Sequence, residues 1–261
     1  MDLGIDKKVA LVLGAGGGLG SAIAEALAQE GTVVVGGGIR DESLLRTAER
    51  LKGARGRFVP LLWDLGEQEL IEEKFAWIEK NVGPVDILVN NTGGPPPSEA
   101  RNVAAATWRG HFESMALSVF KITDRALPHM IGRKWGRIIT STSSGVVVPI
   151  PNLGISNTLR AALVSWSKTL AREVAPHGIT SNIILPGRIA TQRIRALDEA
   201  RAKREGRSVD AVIAQSVETI PMNRYGDPTE YGDAAAFLAS ERASYITGTV
   251  VRVDGGYIPS I

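Results

Sequence analysis

Apolar and polar positions along the chain fall into two alternating periods, one of short continuous runs and one of helical spacing. "KKVALVLG", Lys7 to Gly14, is an apolar β-rich run ending in glycine, and "LGSAIAEALAQEG" follows it with helical spacing and a glycine stop. The same strand, turn and helix recur in "TVVVGG" with "DESLLRTAERLKG" and in "RFVPLLWD" with "EQELIEEKFAWIEKNVG". "VDILVNN" then leads into a helical stretch expected from about Glu99 to Ile131, and "GRIITSTSS" into "NTLRAALVSWSKTLAREVAPHG". "ITSNIILPG", a charged variable segment, the helix "PTEYGDAAAFLAS" and the strand "TVVRVDGG" complete the chain. Strands that are apolar throughout must be covered on both faces, and their alternation with helices makes them parallel. The pattern predicts an α/β fold: a single doubly wound domain over residues 1–261 with about seven parallel strands and helices on both faces. No repeat or low-complexity linker divides it, and "GGPPP" after the fourth strand reads as a stiff loop.

Composition narrows the chemistry more than the fold. With 261 residues, 44% hydrophobic and 22% charged, the chain can bury a full core. Its 30 basic and 28 acidic residues are interspersed, so no basic block points to nucleic acid or an anionic membrane. No apolar run approaches the roughly 20 residues of a membrane span, and "MDLGIDKKVALVLG" does not read as a signal peptide, so a cytoplasmic protein is expected. The absence of cysteine excludes disulfides, thiolate zinc sites and thiol nucleophiles. With three scattered histidines no metal site is expected, and catalysis falls to hydroxyls, carboxylates, amines or a bound cofactor.

"LGAGGGLG" places Gly14, Gly18, Leu19 and Gly20 between the first strand and the first helix. A pyrophosphate there needs close backbone approach and gains from the free amides and dipole of the helix N-terminus. This spacing resembles the short-chain dehydrogenase/reductase family, a Rossmann-type fold, and further matches run in order along the chain. "NNTG" at Asn90 to Gly93 is similar to the family's Asn-Asn-Ala-Gly, with Thr92 for alanine. "ALPHM" at Ala126 to Met130, "GRII" at Gly136 to Ile139, Pro186-Gly187 with Thr191 nearby, and "VDGG" at Val253 to Gly256 also sit at family positions. The resemblance implies a nicotinamide dinucleotide held by Gly14, Gly18, Leu19, Gly20, Asn91, Gly93, Pro186, Gly187 and Thr191, with Asp64 and Leu65 beside the adenine. At the end of the second strand "VVVGGGIRDE" carries glycines in place of an acid, and Arg40 is in reach of a ribose phosphate. That favours NADP(H), with NAD(H) as the alternative.

The same resemblance marks a departure at the chemical end. The family uses a helix asparagine, a serine, a tyrosine and a lysine, the tyrosine exchanging a proton with the substrate oxygen. Aligning on "ALPHM" puts Met115 at the asparagine position, and aligning on "GRIITSTSSG" puts Ser143 at the serine, Ser156 at the tyrosine and Arg160 at the lysine. A serine hydroxyl is a far weaker acid than a phenol and shorter, so Ser156 does not stand in for tyrosine. Arg160 keeps a permanent charge that could hold ribose hydroxyls, but it does not exchange protons. Ser143 and Ser156 are left as candidate hydrogen-bond donors to a developing oxyanion. The four tyrosines, Tyr225, Tyr231, Tyr245 and Tyr257, all lie in the C-terminal part, where one could still reach the cleft by folding.

A segment at about 188–220 corresponds to the family's substrate lid. Its basic residues, Arg188, Arg193, Arg195, Arg201, Lys203, Arg204 and Arg207, outnumber its acids, which suits an anionic small molecule or an acyl thioester or simply a solvated lid. Two functional classes stay open: a 3-oxoacyl-reductase-like oxidoreductase with altered proton transfer, and a dinucleotide-binding pseudoenzyme or silent subunit. A third, non-redox chemistry as in halohydrin dehalogenases, ranks last because those relatives abandon the glycine motif. A homo-oligomer, dimer or tetramer, is expected from the family.

Overall fold

Each residue of β1 (Val9–Leu13) is buried, and its side chains divide between two layers. Ala10 and Val12 pack toward α1 (Gly18–Gln29) and α9 (Pro228–Leu238), where they meet Ile23, Leu27, Ala235 and Leu238. Val9, Leu11 and Leu13 pack the other way, with Phe75 of α3 (Ile71–Asn81), Ile122 and Met130 of α5 (Ser118–Arg133), and Leu170 of α6 (Gly154–Val174). Two apolar layers served by one strand explain its unbroken hydrophobic run, since a period of two satisfies both faces only when every position is apolar.

The computed structural model describes residues 1–261. The remaining strands are β2 (Val33–Gly38), β3 (Arg57–Leu62), β4 (Ile87–Asn90), β5 (Gly136–Ser141), β6 (Ile179–Pro186) and β7 (Val250–Val253). They form one seven-stranded sheet in the order β3-β2-β1-β4-β5-β6-β7, with every neighbouring pair parallel. The direction of winding reverses between β1 and β4, so a crevice opens beyond the carboxyl ends of these two strands. Between them run α2 (Asp41–Arg50), α4 (Ala105–Phe112), and the two helices of the expected lid, α7 (Gln192–Glu205) and α8 (Val209–Glu218). No helix is long and apolar enough to cross a membrane.

The helix expected from Glu99 starts six residues later, at Ala105. Ser98 instead bridges to Leu153, Asn102 takes a left-handed φ of 58°, and Ala104 caps the helix in an extended conformation. Pairing with a distant segment has overridden local helical propensity here. The helix is also not uniform: α4 and α5 are joined through a π turn at Glu113–Leu117, and Met115 lies at its centre.

Candidate functional site

The carboxyl end of β1 carries the glycine-rich loop. Gly14 has φ +64°, and a Cβ on Gly20 would overlap the Gly14 carbonyl oxygen, so both positions require glycine. Gly17 caps α1, which leaves the amides of Gly18, Leu19 and Gly20 in its first turn free of helical partners. Asn91, just beyond β4, donates from Nδ2 to the Leu13 carbonyl at 3.1 Å and so ties the β4 loop to the β1 loop across the switch point. Thr191 closes the cradle from the lid side: a Cβ on Gly18 would stand 2.6 Å from its Cγ2. Thr191 also caps α7 through its hydroxyl, which accepts from the Ile194 amide. The result is a glycine loop at a helix N-terminus, its first-turn amides free of helical partners and Thr191 at its rim, suited to a diphosphate.

Farther along the sheet edge, Arg40 caps α2 from an exposed position, and Ser43 in the next turn packs on Gly16. Ser43 carries no sequence signal; its place is visible only once α2 is docked. Asp64 is exposed and accepts the Gly66 amide, while Leu65 is half-buried against the α3 layer. Gly187 donates its amide to the Val253 carbonyl at 2.8 Å, which fixes the Pro186-Gly187 turn to β7.

On the other side of the switch point the site is built from buried side chains. Arg160 is 8% exposed and donates to three backbone carbonyls: Ser141 at 3.2 Å, Thr92 at 3.2 Å and Gly93 at 3.4 Å. It therefore clasps the loops after β4 and β5 to α6. Burial, and secondly repulsion from Arg193, lower its pKa to about 10, so the guanidinium stays charged at neutral pH. Ser156, 5% exposed, sits one helical turn earlier on the same face of α6. Ser143 caps the short helical turn after β5, its hydroxyl accepting the Gly145 amide at 3.1 Å. Met115 is 3% exposed and packs with Ile155 and Leu159, which flank Ser156 and Arg160 along α6, so apolar side chains fill the ground between α6 and the π turn.

Of the tyrosines, Tyr231 reaches the end of β5. Its hydroxyl meets Ser141 Oγ at 2.8 Å and donates to the Ile184 carbonyl at 3.2 Å, but the residue has no exposed surface. Burial raises its pKa far above the ordinary phenol value, so Tyr231 is a structural anchor beneath the site and not a proton donor. Tyr225 is occupied in the lid. It donates to Asp198 Oδ2 at 2.9 Å, and Asp198, 1% exposed on α7, is also paired with Arg188. This latch holds α7 against the Pro186-Gly187 turn. Asp198 had no signal in the sequence beyond being one acid among many bases.

The chain belongs to the short-chain dehydrogenase/reductase family. Residues 14–258 match the model of the family described as "Enoyl-(Acyl carrier protein) reductase". Among curated proteins, it is 37% identical to the 3-oxoacyl-[acyl-carrier-protein] reductase of Escherichia coli (strain K12), over 97% of this chain and 98% of that one. Among solved structures, L-sorbose reductase from Gluconobacter frateurii, complexed with NADPH and L-sorbose, superposes with a TM-score of 0.93 at 31% identity, covering 100% of both chains. YwfH, an NADPH-dependent reductase involved in bacilysin biosynthesis, gives a TM-score of 0.92 at 32% identity, covering 98% of this chain and 100% of that one.

Proposed function

We propose that the protein is an NADP(H)-preferring oxidoreductase acting on a carbonyl or alcohol of a small-molecule or acyl-thioester substrate, without a tyrosine–lysine proton relay. The observation that carries this reading is the glycine cradle. Gly14, Gly18 and Gly20 leave backbone amides bare where any Cβ would collide, and Asn91 and Thr191 brace the loop from either side. That geometry fits a dinucleotide diphosphate, and the NADPH in the names of the two structural neighbours favours the phosphorylated cofactor. Arg40, at the tip of β2, is the residue to meet the extra phosphate, and Asp64 and Leu65 flank the adenine side. When bound, the nicotinamide supplies or accepts the hydride.

The chain's own residues then divide the remaining work. Ser143 and Ser156 hydrogen-bond the oxygen on which negative charge develops, and neither surrenders its proton, because an aliphatic hydroxyl is too weak an acid. The proton comes from solvent. Arg160 contributes a fixed positive charge close to that oxygen and holds the Thr92, Gly93 and Ser141 backbone in place. Met115, Ile155 and Leu159 close the region between α6 and the π turn with apolar groups, in keeping with a proton supply that does not run through it. Without a general acid the turnover is expected to be about 10² to 10⁴ below that of a member with the tyrosine. Assembly as a dimer or tetramer through α5 and α6 is part of the same proposal and is read by light scattering.

The test is direct. NADPH added to the protein should raise its melting temperature and change the cofactor's fluorescence, and NADPH deuterated at C4 should pass its label to a carbonyl substrate from one face only. If neither NADPH nor NADH alters fluorescence or melting, the reading fails. If NADPH binds but no label moves across a broad carbonyl panel, the protein is a cofactor-binding pseudoenzyme.

A further inference from the structure

Six arginines lie between 188 and 207, and five have a carboxylate partner. Arg188 pairs with Asp198, Arg195 with Glu199, and Arg201, Arg204 and Arg207 share Glu205. Arg193 has none. It donates instead from Nη2 to the Pro95 carbonyl at 3.4 Å. Although the residue is exposed, its guanidinium lies on the loop after β4, where a Cβ on Gly94 would overlap its Nη2 and come within 2.7 Å of Cζ. Gly94 thus leaves the space that the arginine fills.

Helix energetics do not account for this placement. Arg193 and Arg195 stand in the first turn of α7, which contains no acid, and a cation at the positive end of a helix dipole is unfavourable. Nor does local charge pairing, since Arg193 has no carboxylate partner and its repulsion adds to burial in lowering the pKa of Arg160. Arg160 donates to the Thr92 and Gly93 carbonyls and Arg193 to the Pro95 carbonyl, so two guanidinium groups without a carboxylate partner sit on the same short loop after β4. On the same loop, Thr92 is 7% exposed and its hydroxyl has no partner in the chain. Two cations gathered on one loop that also carries an unsatisfied hydroxyl form an arrangement that an oxyanion completes, offsetting the repulsion and supplying an acceptor.

We propose that Arg193 is an anion-binding residue of the crevice, receiving a carboxylate or phosphate oxyanion at the Gly94–Pro95 rim beside Arg160. The assignment of that oxyanion to the substrate or to the cofactor's diphosphate rests on the oxidoreductase reading; the anion site itself does not. As the receiver for a substrate group, Arg193 would select acidic carbonyl compounds over neutral ones, because it meets the part of the molecule that does not react.

The experiment uses wild type, Arg193→Ala, Arg193→Lys and Gly94→Ala, with malonate, inorganic phosphate and NADPH as probes. Without dinucleotide, malonate or phosphate should raise the melting temperature of wild type. Arg193→Ala should abolish that rise, Arg193→Lys should keep part of it, and Gly94→Ala should weaken it while leaving the charge in place. NADPH affinity is then measured by fluorescence at low and high salt. A loss of about tenfold or more in Arg193→Ala assigns the oxyanion to the cofactor's diphosphate. Unchanged NADPH affinity, with malonate binding to the NADPH complex lost, assigns it to the substrate. If NADPH fails to bind wild type while the malonate response still depends on Arg193, the oxidoreductase reading falls and the anion site stands. The proposal is overturned if Arg193→Ala leaves the malonate, phosphate and NADPH responses all within about twofold of wild type, a difference of only a few tenths of a kcal/mol.

Discussion

The two ends of the crevice are built from different materials. At the β1 end the site is backbone: amides at the start of α1, a carbonyl of Gly14 that excludes any side chain at Gly20, and one tether from Asn91. At the β4–β5 end it is side chain: a buried guanidinium, two serines and a methionine-centred apolar cluster. A backbone site depends on where the chain turns, so its chemistry is nearly independent of which residues flank it. A side-chain site changes its chemistry with one substitution. The first end can therefore persist through divergence that rewrites the second.

The largest predicted effect tests that contrast at the backbone end. Gly20→Val introduces a Cβ that overlaps the Gly14 carbonyl and crowds the Asn91 amide, so the glycine loop must shift. NADPH affinity should fall by about 10²-fold or more, roughly 2.7 kcal/mol, in a fluorescence titration. Gly20 is buried in the first turn of α1, so a melting curve on the same sample is needed to separate loss of the site from loss of the fold. If Gly20→Val binds NADPH as wild type does, the backbone account of this end is wrong.

Next in size is an attempt to rebuild the other end. Ser156→Tyr with Arg160→Lys and Met115→Asn should raise reduction of a generic ketone by about 10²-fold, the lower range for a general acid. The structure adds a cost that the sequence did not reveal. A lysine ammonium on a flexible stem is poorly shaped to replace the guanidinium fork across the Ser141, Thr92 and Gly93 carbonyls, and each buried acceptor left bare costs about 1–3 kcal/mol. The triple variant should therefore melt several degrees lower while gaining activity. Equal gain from Ser156→Tyr alone, with Arg160 kept, would show that the charge near the oxygen matters and the lysine relay does not.

The same division decides what could be read from the residues alone. Seven strands in apolar runs, their helices and the glycine loop follow from period and from steric demands on single residues, so they were legible. The start of α4 was not, because Ser98 pairs with Leu153, more than fifty positions away, and no local propensity records that bridge. Arg160 could be located, but its three carbonyl partners arise from β4, β5 and α6 meeting in space. Arg193 read as one basic residue among seven, and only its neighbours' ion pairs set it apart.

The smallest effect concerns the lid that spans both ends. Asp198 is buried between Arg188 and Tyr225, and Asp198→Asn keeps the shape while removing the charge that holds Arg188. Breaking a fully buried pair costs about 3–5 kcal/mol, but the Arg188 side chain is 24% exposed and water offsets part of that loss. The consequence should be local: α7 loosens from the Pro186-Gly187 turn, and protease cleavage between 188 and 220 accelerates. Because α7 carries Arg193 over the chemical end, KM for an acidic carbonyl substrate should rise by about threefold to tenfold with kcat less affected, the signature of weakened ground-state binding. NADPH affinity should hardly change, since Gly14, Gly20 and Asn91 do not depend on the latch. A fall in NADPH affinity as large as that of Gly20→Val would mean that the latch, through Thr191 at the start of α7, holds the cradle in shape as firmly as its glycines do.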